Sequence, residues 1–387
     1  MAGPTVVSLF AGIGGLDLGF VREGFDLVWA NELLKNAAAS YELNLHTPVT
    51  VGRLEEIETA RLPRADVVIG GPPCQSFSLV GLRRANDPRG RLVFTFLDVV
   101  KELRPRAFVM ENVPGIAASL VDGRRLPDVL VGEFEALGYA VTKMRLLATD
   151  FMVPQMRRRL FLVGHIGREI RTPDPERFHS DRLGVDAGEA KISAHAALGD
   201  LGSCVARGER SRYRSEPSSW LARYFRAAQA EDVSLHECPR MSATDRVLIA
   251  HIPPGGNYRD VPDAVATQRI LKFKASGGRS TTYGRLHPDR PSHTVNTYFR
   301  RPNVGTNFHY SEDRLLTPRE AMRLQSLPDD FELVYSSQDE RNALIGNAVP
   351  PLMAQAVAWT VRAALTGEDD DWEVTEPLQQ FLPWAPR

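Results

Sequence analysis

Hydrophobic positions along the first ~165 residues follow two alternating rhythms, a short apolar run and then a longer amphipathic stretch. Thr5–Phe10 is an apolar run that ends in a glycine cluster, the pattern of a strand feeding a tight turn. Leu16–Glu23 has helical spacing, Leu27–Asn31 reads as a second strand and Leu33–Leu43 as an Ala-rich helix. Asp66–Ile69 is β-branched and stops at Gly70-Gly71-Pro72-Pro73, so it predicts a strand. Beyond it come a helix with an apolar face over Leu92–Leu103, a strand over Ala107–Met110, a helix over Val129–Leu137, and strands over Ala140–Leu147 and Leu160–Val163. This alternation predicts an α/β fold built on a doubly wound, mostly parallel sheet.

The rhythm fails after about residue 168. From there to about residue 290 the chain is polar and irregular, with Pro, Gly and Ser clusters, and predicts a smaller domain of turns and short strands. Thr317–Leu327 is a helix with its start written in: Thr317 as N-cap, Pro318 at the first helical position and Glu320 at the third. Arg341–Ala364 holds a Gly-Asn-Ala-Val-Pro-Pro turn and a final apolar helix. The expected organisation is one domain from 1–168 plus 341–366, a second domain with a hinge from 169–340, and an acidic tail from 367–387.

Composition narrows the class without naming it. The chain has 387 residues, 43% hydrophobic and 25% charged, with a net charge of −1, which suits a globular protein with a real core and excludes a disordered one. No run of about 18 apolar residues suggests a membrane span, and the N-terminus lacks the basic stretch of a signal peptide. Three cysteines, Cys74, Cys204 and Cys238, are too few for a disulfide framework and fit no zinc spacing, so a reducing, cytoplasmic setting is expected, with Cys204 and Cys238 incidental. Charge is unevenly spread: residues 201–300 carry a net of +7 and residues 351–387 a net of −4. A basic middle in a neutral chain suggests a surface that faces a polyanion.

Four local patterns carry chemistry. Phe10-Ala11-Gly12-Ile13-Gly14-Gly15 follows the first strand, where glycines let backbone approach a ligand, and Glu32 closes the second strand, where a carboxylate can take both hydroxyls of a ribose. Asp17 stands where a dinucleotide fingerprint needs its third glycine, which favours a nucleoside without a pyrophosphate. Pro72-Pro73-Cys74-Gln75 puts a cysteine in a stiff turn at the carboxyl end of a strand, the place for a thiolate nucleophile. Glu111-Asn112-Val113 ends the next strand with a carboxyl group able to protonate a ring nitrogen. Gln155, Arg157 and Arg159 share one face just before another strand.

In order and spacing these blocks resemble the DNA (cytosine-5) methyltransferases of bacterial type. Arg89-Gly90-Arg91-Leu92, Arg290-Pro291-x-x-Thr294-Val295, Leu316-Thr317-Pro318-Arg319-Glu320-Ala321-x-Arg323-Leu324-Gln325 and Gly346-Asn347-Ala348-Val349-Pro350-Pro351 continue the match, which covers about 1–168 and 285–360. The resemblance implies S-adenosylmethionine as methyl donor and a cytosine in double-stranded DNA as acceptor. It implies a cofactor site at Phe10, Gly12, Ile13, Gly14, Gly15, Glu32, Leu33, Arg53, Leu54, Gly71, Pro73, Leu92, Asn347, Ala348 and Val349. It implies a catalytic set of Cys74, Glu111, Arg157 and Arg159. Two positions depart from the family pattern: Arg53 stands where an acid is usual, and Leu33 where an aromatic is frequent.

The resemblance further implies that residues 168–290 recognise the target, with Arg210, Arg212, Arg214, Lys272, Lys274 and Arg279 as candidate DNA contacts. Ser78, Arg83, Arg84 and Arg89 in the loop after Cys74, and Gln155, complete that expected set. The target base must be flipped out of the helix, because its ring faces are inaccessible in a duplex. A monomer is expected, with no membrane partner and a restriction endonuclease of the same specificity as a possible companion. A tRNA cytosine-5 methyltransferase carries the same blocks and is the alternative. A nicotinamide-dependent oxidoreductase is disfavoured by Asp17, and an inactive nucleic-acid-binding regulator by the intact Cys74, Glu111 and Arg159.

Overall fold

The computed structural model describes residues 3–73, 92–185, 192–226 and 230–367. Its centre is a seven-stranded sheet of β1 (Thr5–Leu9), β2 (Asp26–Glu32), β3 (Val49–Val51), β4 (Val67–Gly70), β5 (Ala107–Asn112), β8 (Tyr139–Leu147) and β10 (Arg158–Ile166), in the order β3-β2-β1-β4-β5-β10-β8. Neighbours from β3 to β5 run parallel, and β10 is antiparallel to both β5 and β8. The sheet is thus mostly parallel and doubly wound, as its sequence rhythm predicts. Between β5 and β8 lies a small hairpin of β6 (Leu120–Val121) and β7 (Arg124–Arg125).

Strands β1, β4 and β5 are buried along almost their whole length because both faces of the sheet are covered. On one face α1 (Gly15–Arg22) and a late C-terminal helix pack with Val6, Ile69 and Phe161; on the other α3 (Leu92–Leu103) and α4 (Leu126–Ala136) pack with Val7, Phe108 and Leu160. A second helix, α2 (Lys35–Leu45), covers β2 through Ala38 and Tyr41. Here the first helical turn starts two residues later than its sequence suggests, because Leu33 and Leu34 are spent on the exit from β2.

From residue 169 the elements are short. Helices α5 (Pro175–Arg177), α6 (Ala194–Leu198), α7 (Trp220–Phe225), α8 (Ala243–Ile249) and α9 (Gln268–Ser276) alternate with two-residue strands. One of those strands, β14 (Ser292–His293), pairs in parallel with β9 (Gln155–Met156), the short strand just before β10, and ties this region back to the first part of the chain. The region buries two further apolar clusters, one around Leu198, Phe225 and Met322, the other around Ile249, Tyr258 and Phe308. One expectation is corrected: Cys204 and Cys238, read as incidental, form a disulfide with Cα atoms 4.9 Å apart.

Three helices close the chain: α10 (Pro318–Leu324), α11 (Gln338–Asn347) and α12 (Pro351–Thr366). The stretch Gln338–Thr366 is long and apolar enough to cross a membrane, but 89% of its most apolar window is buried inside the protein, which makes it core. Gly19 of α1 lets α12 approach: a Cβ there would lie 2.5 Å from the Ala354 Cβ. The start of α10 has the predicted capping box, with the Glu320 N–H donating to Thr317 Oγ1 and the Thr317 N–H to Glu320 Oε2.

Helix α10 also buries two arginines completely. Arg323 Nη1 lies 2.5 Å from Asp200 Oδ1 and its Nη2 2.6 Å from Asp329 Oδ2, so both acids and the base leave water together. Arg319 donates to the carbonyls of Ser234, Pro328 and Phe331. Removing Arg323 leaves two buried carboxylates without their cation. Arg323→Met should therefore cost about 3–5 kcal/mol, read as a lower urea midpoint; a change under about 1 kcal/mol would show that the pair is not what holds α10.

Candidate active site

The carboxyl ends of β1, β2, β4 and β5 gather the expected residues at one rim. After β1 the chain passes through left-handed conformations at Phe10 (φ 55°), Gly12 (φ 57°) and Gly14 (φ 89°), and α1 begins at Gly15. A side chain at Phe10 makes that conformation costly, and the Ala11 N–H bond to the Asn31 carbonyl at 2.9 Å helps to hold the turn. Nothing lies within 4 Å of where a Gly12 Cβ would be, so the loop borders open space there.

Glu32 sits beside that space. Its Oε2 accepts the Gly12 N–H and its Oε1 the Leu34 N–H, both at 2.9 Å. A carboxylate has about four lone-pair sites, so two remain for a pair of hydroxyls. Asn31 fixes the neighbouring segment by donating to the carbonyls of Thr50 and Gly52. Arg53 is exposed and lies 3.9 Å from Glu56, Leu33 is 53% exposed, and Leu54 is buried.

The C-terminal turn returns to the same loop. A Cβ at Gly15 would stand 2.3 Å from the Val349 carbonyl oxygen, so glycine is what admits this contact. Asn347 is exposed at the end of α11, while Ile13 and Ala348 point their side chains into the second apolar cluster and can offer a ligand only backbone. An open glycine turn, a half-satisfied carboxylate and an exposed leucine fit the adenosine part of S-adenosylmethionine.

On the chemical side, Glu111 is the last residue but one of β5. Its Oε2 would meet a Gly71 Cβ at 3.1 Å, which puts the carboxylate against the chain three residues before Cys74. Arg159 Nε lies 2.6 Å from Glu111 Oε1, with each side chain 11% exposed. Asn112 donates to the Pro72 carbonyl at 3.0 Å and so ties the end of β5 to the Pro-Pro turn. Gly71 and Leu92 are half-buried and Pro73 is exposed. Cys74, Ser78, Arg83, Arg84 and Arg89 lie outside the described residues.

Arg157 is buried at the junction of three segments, donating to the Val295 carbonyl at 3.3 Å and the Gly346 carbonyl at 3.1 Å. Burial, and then Arg159 alongside, holds its pKa well below the ordinary arginine value. Gln155, expected as a DNA contact, is fully buried instead: its amide donates to Leu324 O and Gln325 Oε1 and accepts the Val295 N–H. Of the other expected contacts, Arg210 is held by Asp232 at 2.6 Å, Lys274 by Asp263 at 2.6 Å, and Arg214 faces Glu312 at 3.6 Å. Arg212, Lys272 and Arg279 are exposed and make no ion pair among the described residues.

The support beneath the glycine turn is legible only in three dimensions. Asp17 is fully buried and its Oδ1 accepts the Tyr41 hydroxyl at 2.8 Å, while Oδ2 and the Ser8 hydroxyl oxygen have no partner among the described residues. Tyr41 in turn backs the turn itself, since its ring would lie 2.9 Å from a Gly14 Cβ. An acid on the buried stripe of an apolar helix was the available signal.

This site lies on a fold that solved structures share. A DNA modification methyltransferase encoded within an E. coli prophage superposes with a TM-score of 0.69 at 21% identity, over 94% of this chain and all of the other. The Dnmt2 methyltransferase of S. pombe gives 0.60 at 16%, over 95% and 99%. The chain is an S-adenosylmethionine-type α/β methyltransferase in architecture. A family model of C-5 cytosine-specific DNA methylases matches residues 4–362, and the chain belongs to that family. Among curated relatives, the type II methyltransferase M.NgoFVII of Neisseria gonorrhoeae is 32% identical over 98% of this chain and 91% of its own length. M.AgeI of Thalassovita gelatinovora is 31% identical over 93% and 99%.

Burial pushes the Asp17 carboxyl up to about 6, against the hydrogen bond from Tyr41 that lowers it. The folded state therefore binds this proton more tightly than the unfolded chain, and Asp17 costs stability as pH rises through about 6. Asp17→Asn removes that cost. It should be more stable than the parent by up to about 3 kcal/mol at pH 8, with the gap closing as pH falls from 6 to 4. Melting curves across this range test it; a gap independent of pH would mean that Asp17 is not the titrating group.

Proposed function

We propose that the enzyme methylates carbon 5 of a flipped cytosine within a specific double-stranded DNA sequence, through a covalent bond from Cys74 to carbon 6. The observation that carries this reading is the Glu111–Arg159 pair at 2.6 Å on the rim beside the Pro72-Pro73 turn. Cytosine presents O2 and N3 side by side on one edge. A guanidinium for O2 next to a carboxyl group for N3 matches that edge.

The chemistry follows from the ring. Carbon 5 of cytosine is a poor nucleophile until something adds at carbon 6. The Cys74 thiolate makes the new carbon–sulfur bond, and Glu111 gives a proton to N3 as charge arrives there. Carbon 5 is then an enamine carbon. S-adenosylmethionine, when bound, supplies the methyl group as a sulfonium and leaves as S-adenosylhomocysteine. Transfer of the carbon-5 proton to a water molecule reforms the carbon 5–carbon 6 double bond as the thiolate departs, and Glu111 takes back the N3 proton. Arg159 steadies O2, and Arg157 keeps the strand in place.

Residues 169–340 form the target-recognition unit in this reading, and 1–168 with 341–366 the catalytic one. The type II relatives support a partnership with a restriction endonuclease of the same specificity, and the substrate puts the enzyme in the cytoplasm with the chromosome.

Duplex DNA with 5-fluorocytosine at the target has no proton to lose at carbon 5. The enzyme should stop on it as an adduct that survives denaturing gels and needs S-adenosylmethionine. Cys74→Ala should give none, and Glu111→Gln should form it at least about 10²-fold more slowly. An adduct formed by Cys74→Ala would sink the mechanism, and methyl transfer to tRNA in preference to DNA would sink the substrate.

The cofactor site has its own check. Glu32→Ala should weaken S-adenosylmethionine binding by about 1.5–3 kcal/mol in calorimetry, as for a lost hydrogen bond to a charged group. Unchanged affinity would remove Glu32 from the site.

A further inference from the structure

Apart from the buried Gln155, the expected DNA contacts lie on the proposed recognition unit or on the segments next to Cys74. The catalytic unit carries another cluster of arginines that neither the motifs nor the mechanism uses. Arg124 and Arg125 form β7 of the small hairpin, Arg145 lies on β8 and Arg158 opens β10; all four are exposed. Among the described residues none of them makes an ion pair.

Register places them on one side. Arg145 is paired with Leu160, so the two share a face of the sheet, and Arg158, two residues before Leu160, shares it too. That is the face covered by α4, because Leu160 packs with Leu126, Leu130 and Phe134. Helix α4 runs away from the hairpin, so Arg124 and Arg125 sit over its N-terminal end. Since β8 is antiparallel to β10, and β10 to β5, the end of β8 and the start of β10 lie level with the end of β5. The four arginines therefore gather at the same rim as Glu111 and Arg159, beyond β5 on the side away from β3.

Stability does not explain this placement. Two cations at a helix N-terminus oppose its dipole by about 0.3–1 kcal/mol each. Their field reaches Asp128 in the first turn, whose carboxyl is held below its ordinary value by Lys143 first and by Arg125 and Arg124 after it. The other nearby acids are Asp122 at the hairpin tip and the half-buried Asp150, whose carboxyl burial raises and Arg158 lowers. Neither lies within ion-pair distance of the four arginines.

We propose that Arg124, Arg125, Arg145 and Arg158 form a phosphate-binding surface that grips the duplex on the catalytic unit's own side of the flipped base. This rests on the reading of the enzyme as acting on double-stranded DNA. The arginines neutralise backbone phosphates flanking the target and read no sequence. A duplex long enough to reach both surfaces is then held from both sides, and the energy for extruding the base is supplied by non-specific as well as specific contacts.

The experiment measures binding of a fluorescent duplex containing the methylated site against salt concentration, for the parent and for a variant with all four arginines changed to glutamine. The slope of log affinity against log salt should fall by about 3–4 in the variant, near 0.9 per lost contact. Bisulfite sequencing should show the same target for both. The four Arg→Lys changes should restore the slope, since they keep the charge. Shortening the duplex on one flank only should weaken the parent and leave the glutamine variant indifferent. A folded glutamine variant with the parent's slope overturns this surface while the proposed activity stands. Parent enzyme that neither binds nor methylates duplex DNA overturns both.

Discussion

A single buried guanidinium ties the molecule's working parts together. Arg157, just before β10, donates to two carbonyls far away in sequence, Val295 and Gly346. The first lies two residues after β14, the second at the end of α11, in the stretch that returns to the Gly12–Gly15 loop. Gln155 reinforces the junction from two residues earlier, reaching Val295 and the end of α10. A Cβ at Gly346 would stand 2.6 Å from the Asn296 backbone, so the segments meet without slack. The segments that carry the Glu111–Arg159 pair, Val295 and the Gly346–Val349 turn therefore share one reference point, and a shift in one is felt by the others.

The cost of such a junction is electrostatic. Arg157 is buried with no carboxylate of its own and with Arg159 beside it, which disfavours its charge. Helix α10 solves the same problem differently. Arg323 has two buried acids, and Arg314 binds Glu320 at 2.7 Å, which keeps that buried carboxyl far below its ordinary range. These pairs confer little net stability over an apolar core, but breaking one is severe. They fix the register of α10 against both units, because apolar contacts alone tolerate slippage and a desolvated ion pair does not.

Much of the sheet-bearing part of the fold was legible in the sequence because its code is local. The boundaries of α3 are those its apolar face predicts, and the cap of α10 follows from Thr317, Pro318 and Glu320 alone. The strand β3 escaped because Val49–Val51 has three residues, only one of them buried. The irregular region from residue 169 escaped for a deeper reason. Its two-residue strands have no period to detect, and its clusters join residues such as Leu198 and Met322 that are more than a hundred positions apart. The Cys204–Cys238 pairing is of the same kind, closing across 34 residues. Among charged residues, sequence could point to a basic region but not decide which arginines are spent internally: Arg210 faces Asp232 and Arg212 next door faces solvent.

The same distinction explains why the glycine turn needs an acid beneath it. Residues Phe10, Gly12 and Gly14 all sit in left-handed backbone, a conformation that does not hold itself. Above, Glu32 pins the turn through the Gly12 N–H; below, Tyr41 packs on Gly14 and is itself fixed by Asp17. Phenylalanine would fill the Tyr41 site without a hydroxyl, but its ring would lose the bond that orients it, and alanine at Asp17 would lose the acceptor. The turn is thus clamped between two carboxylates, one half-open to a ligand and one sealed from water. The sealed one is costly to ionise at neutral pH, and that cost is what a ligand-ready, pre-formed loop requires of a fold that cannot rely on glycine for rigidity.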